Sequence, residues 1–493
     1  MLKEQSNIFT SNIFKYSIII GISVLLGIFI AKGQTLALIG LFAVISGLFY
    51  TYYAFKNPVL PLKTVLVFGF FVIGITRYID APFGLAIDFL LVFCWVITIL
   101  TGWKSLKWEN THTFVVYFVL IWFIFIALEL LNPLSIGFEP WVYAMRGMAL
   151  YPLLLLPLVF LLLNKQEDMM WVIKVWLFIS ILAALKGFAQ KYWQCDPFEK
   201  RWLAQGGYVT HILFGQLRAF SFYSDAGQFG GAMAHASISC FIFFTGPYNK
   251  WKKLIFFGLF VFFFWGYLIS GTRGAIAVPA AGMMIYLVLS KNFKVLLFGG
   301  LLAGAFYFIM AFTQIGQGTY EIRRLRTAFT KGSEDASMVV RSENKKKLAV
   351  YLSDKPFGGG VASAGDWGKR FRPDSVLANI ATDSFYVRIW SETGIVGLVL
   401  FLVFFFYFII RGAWIIWFLK EPLLRNKLMA LYCGVIGVMA ASYGNSLFSQ
   451  FPSNLICYTS MCFVLMAERQ WTKKELNQSL MSGISPKIQL VSK

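Results

Sequence analysis

Two arginines beside apolar segments are the residues of this chain with the clearest potential for chemistry. Arg218 lies in the run Gly-Gln-Leu-Arg-Ala-Phe-Ser, and Arg273 lies in Ile-Ser-Gly-Thr-Arg-Gly-Ala. A planar guanidinium binds phosphate through two parallel N–H···O bonds, and glycines at a helix start let backbone amides point at the same anion. These residues predict a phosphate-binding site, and an ion pair with a nearby Asp or Glu is the simpler alternative.

A carboxylate and two further arginines lie in comparable positions. Asp383, Tyr386 and Arg388 directly precede an apolar segment, and Asp383 is expected either to act as a general base or to cap the helix that follows. Arg146 lies a few residues inside another apolar segment. A charge at that depth is costly, so Arg146 is expected either to bind an anion or to extend to the lipid headgroups.

The elements that must position these residues are membrane helices. Of the 493 residues, 58% are hydrophobic and 14% are charged, whereas soluble proteins contain about 25% charged residues. The mean hydropathy is +0.68, and six cysteines are too few for a disulfide-stapled secreted module. The composition therefore excludes a soluble globular protein and a disordered chain.

Fourteen apolar segments have roughly the 20 residues that a helix needs to cross a bilayer. They predict an all-α polytopic membrane protein with about fourteen (12–14) transmembrane helices, of which the first is retained because it lacks a signal-peptide cleavage site. The predicted spans are residues 14–31, 35–53, 57–76, 82–101, 112–131, 141–163, 169–189, 226–246, 253–270, 274–290, 294–313, 393–417, 426–446 and 453–467.

The distribution of lysine and arginine predicts the orientation of the chain. Cytoplasmic loops of membrane proteins collect these residues, and a cytoplasmic N-terminus places most basic short loops inside. The turns 132–140 and 447–452, on the opposite side, contain none. Both termini are therefore expected in the cytoplasm. The net charge of +21 does not favour nucleic-acid binding, because no basic stretch alternates with stacking aromatics.

This orientation divides the chain into five parts. They are N-terminal membrane helices (1–140), a central membrane region (141–313) with an outer loop (190–225), a large and partly helical outer loop (314–392), C-terminal membrane helices (393–467) and a cytoplasmic tail (468–493). Arg218, Arg273, Arg341 and Asp383 would then share the outer side, and outward cations near a bilayer indicate an anionic ligand. The scattered histidines and the cysteine spacing predict no metal site, and no cofactor is expected.

From about Trp141 to Ile410, the chain resembles the O-antigen ligase and O-antigen polymerase superfamily of bacterial membrane glycosyltransferases. The resemblance depends on five features in a fixed order. They are Arg146 in a central helix, Arg-x-x-x-Phe at Arg218–Phe222, Ser-x-x-Arg-Gly at Ser270–Gly274, Arg341 followed by Lys-Pro-x-Gly-x-Gly at Lys355–Gly360, and Tyr-x-x-x-x-x-Glu-x-Gly at Tyr386–Gly394.

The resemblance implies an activity and roles for these residues. It implies a helical membrane body with a large periplasmic loop, which transfers sugar from an undecaprenyl-pyrophosphate carrier to an acceptor without metal. Arg218 and Arg273 would bind the pyrophosphate and assist catalysis. Further substrate-binding candidates are Arg146, Arg341, Tyr386 and Arg388. The superfamily often has a His-Asn pair just before the tyrosine, and this chain has Asp383-Ser384 there, so Asp383 is the candidate catalytic base.

Several alternatives stay open at this stage. The acceptor is expected to be a glycan, a lipid or a protein, and the chain is expected to reside in the bacterial inner membrane, with the lipid bilayer as its other partner. The sequence does not distinguish a ligase from a polymerase. A transporter or flippase of a lipid-linked or anionic substrate would need charges near mid-bilayer and broken helices facing both sides. A non-catalytic scaffold of an envelope complex is the third possibility.

Overall fold

The structure is a bundle of long helices. This computed structural model describes residues 35–104, 106–330 and 336–468, together with four isolated positions between 20 and 27. Most of the predicted span 14–31, and all of the predicted tail 468–493 except Glu468, lie outside the described residues. Within the described part, the sheet structure is limited to one hairpin, in which Ile212 pairs with Leu217 and Leu213 pairs with Gln216.

The main helices follow the apolar segments of the sequence. They are α1 (Thr35–Lys56), α2 (Val59–Ile75), α3 (Phe83–Gly102), α4 (Phe114–Leu131), α5 (Phe138–Leu162), α6 (Gln166–Trp193), α7 (Ala226–Thr245), α8 (Lys250–Ile269), α9 (Arg273–Leu289), α10 (Phe293–Phe312), α11 (Tyr320–Thr330), α12 (Ala336–Tyr351), α13 (Phe385–Phe418), α14 (Pro422–Ala441) and α15 (Ser453–Met466). Strands β1 (Ile212–Leu213) and β2 (Gln216–Leu217) and the short helices Pro197–Trp202, Tyr208–His211, Gly365–Phe371 and Val376–Asn379 lie in the connections.

The all-α polytopic membrane class is confirmed in this structure. Eight of the described helices are long and apolar enough to cross a membrane, namely α3, α4, α5, α6, α8, α10, α13 and α14. The apolar helices α2, α9 and α15 are shorter. Helix α7 occupies the predicted span 226–246 but contains Gln228 and His235, which lower its hydropathy. The predicted total of fourteen spans therefore stays a prediction.

Helices α7 and α14 form the centre of the bundle. Helix α7 packs against α8, α9 and α14, and most of its residues are buried. Small residues permit this close approach: a Cβ added at Gly434 of α14 would lie 2.4 Å from the His235 ring, and one at Gly231 would lie 2.6 Å from Leu447. Close packing of this kind fixes helix ends relative to one another.

Several helix ends meet at one end of the bundle. Helices α7, α9 and α13 begin there, and α8 and α14 end there. The Ser442 carbonyl at the end of α14 accepts a hydrogen bond from the backbone amide of Phe385 at the start of α13, at 3.0 Å. The segment 314–384, which contains α11 and α12, follows α10 and leads into α13. The residues that could do chemistry lie at these ends.

The glycine motif of the large loop has a structural role. Gly394 interrupts α13 with a φ of 66°, and a Cβ there would lie 2.0 Å from the Pro356 carbonyl oxygen. The backbone amide of Gly359 donates to the Ser391 carbonyl at 2.9 Å, and that of Val396 donates to the Pro356 carbonyl at 3.2 Å. The turn at 355–360 thus packs directly into the kink of α13, which explains why both places need glycine.

Candidate active site

A large cationic cavity opens at this end of the bundle. Its volume is about 970 Å³. The charged side chains that line it come from loop 190–225, from α9 and α11–α13 and from the segment between α12 and α13. The cations are Arg218, Arg273, Arg324, Arg341, Lys369 and Arg388, and the carboxylates are Asp225, Asp366 and Asp383. Six cations face three carboxylates, so the cavity has the charge to attract an anion.

Arg218 is held rigidly while part of its guanidinium stays available. Nε donates to the Ser270 carbonyl at 3.1 Å, Nη1 to the Thr210 carbonyl at 2.9 Å, and Nη2 to the Thr272 hydroxyl at 2.9 Å. A guanidinium has five N–H groups, so two remain for a ligand. Burial, with repulsion from Arg324 and Arg273, lowers the Arg218 pKa to about 10. Arg218 is still protonated at neutral pH, and a bound anion would relieve the repulsion.

Arg324 joins this cluster from α11. Its Nε donates to the Gly271 carbonyl at 2.6 Å, and its Nη1 donates to the Tyr320 hydroxyl at 3.3 Å. Gly271 has a φ of 58°, and an added Cβ would lie 3.1 Å from the Arg324 Nε and 3.5 Å from the Arg218 Cγ. The missing side chain at Gly271 therefore lets two guanidiniums approach the same turn.

Arg273 completes the group at the start of α9. Its Nη1 donates to the Thr327 hydroxyl of α11 at 3.1 Å. The neighbouring Thr272 hydroxyl donates to the Ala226 carbonyl at 2.9 Å, which ties the turn to the first residue of α7. The turn between α8 and α9 thus positions Arg218, Arg273 and Arg324, and we call these three side chains the arginine cluster.

The opposite side of the cavity carries Asp383. Its Oδ2 lies 3.6 Å from Nε of Arg341, and its side chain is 57% exposed. Arg388 also lines the cavity, and its Nε donates to Oε1 of Glu392 at 3.1 Å. Glu392 is fully buried, and its Oε2 accepts from the Ala362 amide at 3.3 Å. Asp383 is therefore accessible, whereas Arg388 is fixed by a buried carboxylate.

Two residues predicted from the sequence lie elsewhere. Nη2 of Arg146 forms an ion pair with Oδ2 of Asp88 at 2.6 Å and donates to the Tyr151 hydroxyl at 3.2 Å, and neither expectation for this arginine included such a partner. The Tyr386 hydroxyl donates to the Met439 carbonyl at 2.8 Å. Neither Arg146 nor Tyr386 lines the cavity. The structure thus brings five of the predicted residues together in the cavity: Arg218, Arg273, Arg341, Asp383 and Arg388.

Sequence reasoning missed Arg324 and Asn445. Arg324 belongs to a basic run on α11, and its identity as a cavity residue depends on which way that helix is turned. Asn445 follows α14, and a Cβ at Gly274 would lie 2.8 Å from its Nδ2. This Nδ2 is buried and has no hydrogen-bond partner among the described residues, so the cavity wall contains a donor that a ligand can use.

Comparison with known proteins relates one region of the chain to a family. Residues 231–402 match the family model described as O-Antigen ligase. A similar protein from Salmonella muenchen, described as O-antigen polymerase, is 25% identical over 197 residues. The alignment covers 38% of this chain and 46% of that relative, so less than half of the relative is matched. The matched region contains Arg273, Arg324, Arg341, Asp383 and Arg388, and Arg218 precedes it.

Proposed function

Because residues 231–402 match the O-Antigen ligase family model, we propose that the chain is a membrane glycosyltransferase of the O-antigen ligase and polymerase superfamily. It transfers a glycan from an undecaprenyl-pyrophosphate carrier to an acceptor, by a metal-independent and inverting reaction. The reaction takes place at the periplasmic face of the bacterial inner membrane, and both termini lie in the cytoplasm. The single observation that carries this proposal is the arginine cluster around one glycine-containing turn.

The arginine cluster binds the diphosphate of the carrier. Three guanidiniums that repel one another need an anion of more than one charge, and a diphosphate supplies it. Arg218 has two N–H groups left for it after its three bonds to the protein. Negative charge increases on the diphosphate as it leaves the sugar. Donors that are already in place therefore stabilise the transition state as well as the bound substrate.

Asp383 is the base of this reaction. Its carboxylate accepts the proton of the acceptor hydroxyl, and the oxygen of that hydroxyl forms a bond with C1 of the donor sugar. The bond between C1 and the phosphate oxygen breaks, and the diphosphate leaves with the electron pair. Arg341 is the charged partner of this carboxylate, with its Nε 3.6 Å from Oδ2 of Asp383.

Asp225 is a weaker candidate for the base. It also lines the cavity, but its Oδ1 already accepts hydrogen bonds from the amides of Gly227 and Gln228, at 2.6 and 3.0 Å. Its Oδ2 accepts from the Ser224 hydroxyl at 2.8 Å. A carboxylate that caps a helix through such bonds is a poor proton acceptor, because protonation would break them.

The other predicted residues divide between binding and structure. Arg341 and Arg388 bind phosphate or sugar oxygens on the Asp383 side of the cavity. Arg146 acts through its ion pair with Asp88 as part of the membrane body. Tyr386 anchors the start of α13 to α14 through its bond to the Met439 carbonyl.

A transfer assay tests the proposed function. The full-length protein is reconstituted in vesicles with lipid-linked glycan from host membranes and with host acceptor lipids. Glycan joined to an acceptor is measured. Arg273→Ala is expected to reduce transfer by about 100-fold or more, in the range seen for loss of one preorganised donor. Asp383→Asn is expected to reduce it by about 100-fold or more because it removes the general base. Arg411→Ala removes an arginine that pairs with Glu468, far from the cavity, and should transfer normally.

Each result has a clear consequence. Normal transfer by Arg273→Ala would remove this arginine from the reaction, and normal transfer by Asp383→Asn would assign the base elsewhere. Movement of intact lipid-linked glycan across the vesicle membrane without transfer would indicate a flippase. No transfer and no movement by the wild type, in a preparation where a host extract is active, would favour a scaffold.

A deletion strain distinguishes the two forms of the activity. A ligase joins finished chains to their acceptor, so its loss leaves the acceptor bare and long chains on the carrier. A polymerase lengthens chains, so its loss leaves single repeat units on the acceptor. Electrophoresis of the surface glycan separates these patterns.

A further inference from the structure

A small hairpin with an exposed aromatic tip lies at the edge of the cavity. The segment 208–217, which we call the rim hairpin, contains β1 and β2. Leu213 lines the cavity, and Arg218 of the arginine cluster follows β2 directly. Phe214 and Gly215 form the turn, with φ values of 54° and 72°. The Phe214 side chain is 91% exposed.

The residue types of the rim hairpin do not suit water. A two-residue turn with two positive φ values favours Asn-Gly or Asp-Gly, and a bulky residue with positive φ is an outlier. Phe214 therefore fits neither the backbone conformation nor an aqueous surface. Val209 and Tyr208, on the same segment, are 63% and 55% exposed. Together they present an apolar surface where a water-facing loop would be polar.

The rim hairpin continues a surface that is suited to lipid. Helix α6 is a candidate membrane span that ends at Trp193, and Trp193 is 81% exposed. The preceding Tyr192 accepts a hydrogen bond from Nε1 of Trp265, near the end of α8, at 3.0 Å. Tyr and Trp at the ends of two membrane helices are typical of the boundary between lipid and water.

Hydrogen bonds and an ion pair attach the rim hairpin and its neighbour α11 to the end of α6. Lys191, in the last turn of α6, donates to the Leu217 carbonyl of β2 at 3.4 Å. It also forms an ion pair with Glu321 of α11 at 2.9 Å. The Tyr320 hydroxyl donates to the Leu213 carbonyl of β1 at 3.3 Å. The hairpin is therefore attached to the end of a candidate membrane helix.

We infer that the rim hairpin lies in the lipid surface of the leaflet at the cavity end, with Phe214 among the acyl chains. This location requires only that the chain spans the membrane, and it does not depend on the proposed function. If that function also holds, the cavity opens beside the headgroup layer. A lipid-anchored diphosphate then reaches the arginine cluster without leaving the membrane.

Spin labelling tests this location in the full-length protein. All six native cysteines are buried, so a single introduced cysteine is the preferred site for the label. Phe214→Cys is labelled in phosphatidylethanolamine–phosphatidylglycerol vesicles. Power saturation then compares collisions with oxygen, which concentrates in lipid, and with a water-soluble nickel chelate. Leu302→Cys on α10, 70% exposed, is the lipid control, and Val376→Cys in the large loop, 51% exposed, is the water control.

The oxygen-to-nickel ratio at position 214 is expected to lie below that at 302, which is at the midpoint of α10, and well above that at 376. A ratio equal to that at 376 would overturn the inference, because the hairpin would then lie in water. Low collision rates with both reagents would also overturn it, because protein would then cover the hairpin. Val209→Cys gives the same readout while Phe214 stays in place, in case Phe214→Cys does not fold.

Discussion

Replacing Arg218 with alanine is expected to weaken the binding of undecaprenyl diphosphate by one to two orders of magnitude. The wild-type side chain has two N–H groups for the ligand after its bonds to Ser270, Thr210 and Thr272. A hydrogen bond to a charged group contributes about 1.5–3 kcal/mol. Since 1.4 kcal/mol corresponds to a factor of ten, losing one such bond predicts roughly a 10- to 150-fold rise in Kd.

Transfer should fall further than binding. Charge builds up on the diphosphate as it leaves, so a fixed donor matters more in the transition state than in the bound state. Loss of one such donor lowers kcat by about 10²–10³. Arg218→Lys keeps the charge. An ammonium has only three N–H donors on one nitrogen, so it cannot replace the three bonds to the protein and also donate to the ligand. This variant should recover binding in part and transfer very little.

The assay uses purified protein in detergent and undecaprenyl diphosphate without sugar as the probe. Its Kd is measured by thermal stabilisation at several concentrations, and transfer is measured in vesicles. Arg218→Ala leaves the buried Ser270 carbonyl with fewer donors, at a cost of about 1–3 kcal/mol. Gel filtration must therefore show intact protein. Arg411→Ala is the matched control. An intact Arg218→Ala variant with wild-type Kd and wild-type transfer would refute the assignment of this arginine.

Three further predictions concern neighbouring residues. Arg324→Ala should raise the Kd for undecaprenyl diphosphate about tenfold or more, by the same reasoning as for Arg218, and a wild-type Kd would remove α11 from the site. Gly271→Ala should reduce transfer strongly while every charge remains. Its Cβ would lie 3.1 Å from the Arg324 Nε, and its φ of 58° is unfavourable by about 1–2 kcal/mol for residues other than glycine. A kcat equal to that of the wild type would contradict the tight turn. Tyr386→Phe should lower the stability measured by thermal unfolding by about 1 kcal/mol, through loss of its bond to the Met439 carbonyl, with transfer unchanged; a large loss of transfer would return Tyr386 to the site.

Long apolar runs made the membrane helices predictable. A bilayer leaves a backbone few alternatives to a helix, so every predicted span from 35–53 onward coincides with a helix of the structure. The meeting of Arg218, Arg273 and Asp383 was also predictable in outline. Each lies next to a helix end, and the alternation of spans puts these ends on the same side.

The details of the site depend on contacts that sequence does not reveal. Arg324 and Arg326 are neighbours in the same basic run, yet Arg326 donates to the Ile315 carbonyl while Arg324 faces the cavity. Only the rotation of α11 decides this. For Arg146 the sequence left anion binding and extension to the lipid headgroups open, and neither included an ion pair. Its partner Asp88 lies 58 residues earlier on α3, and helix packing alone brings them together.

The turn that packs into the kink at Gly394 has a mechanical consequence. Because its backbone is bonded on both sides of the kink, the return of the large loop and the start of α13 behave as one rigid wall. Asp383 and Arg388 sit on that wall. On the opposite side of the cavity, α11 is attached through side-chain bonds, such as those of Lys191 with Glu321 and of Tyr320 with Leu213. Side-chain bonds break more easily than backbone hydrogen bonds on both sides of a kink. Widening of the cavity for a bulky glycan should therefore occur on the α11 side, while the proton acceptor keeps its position.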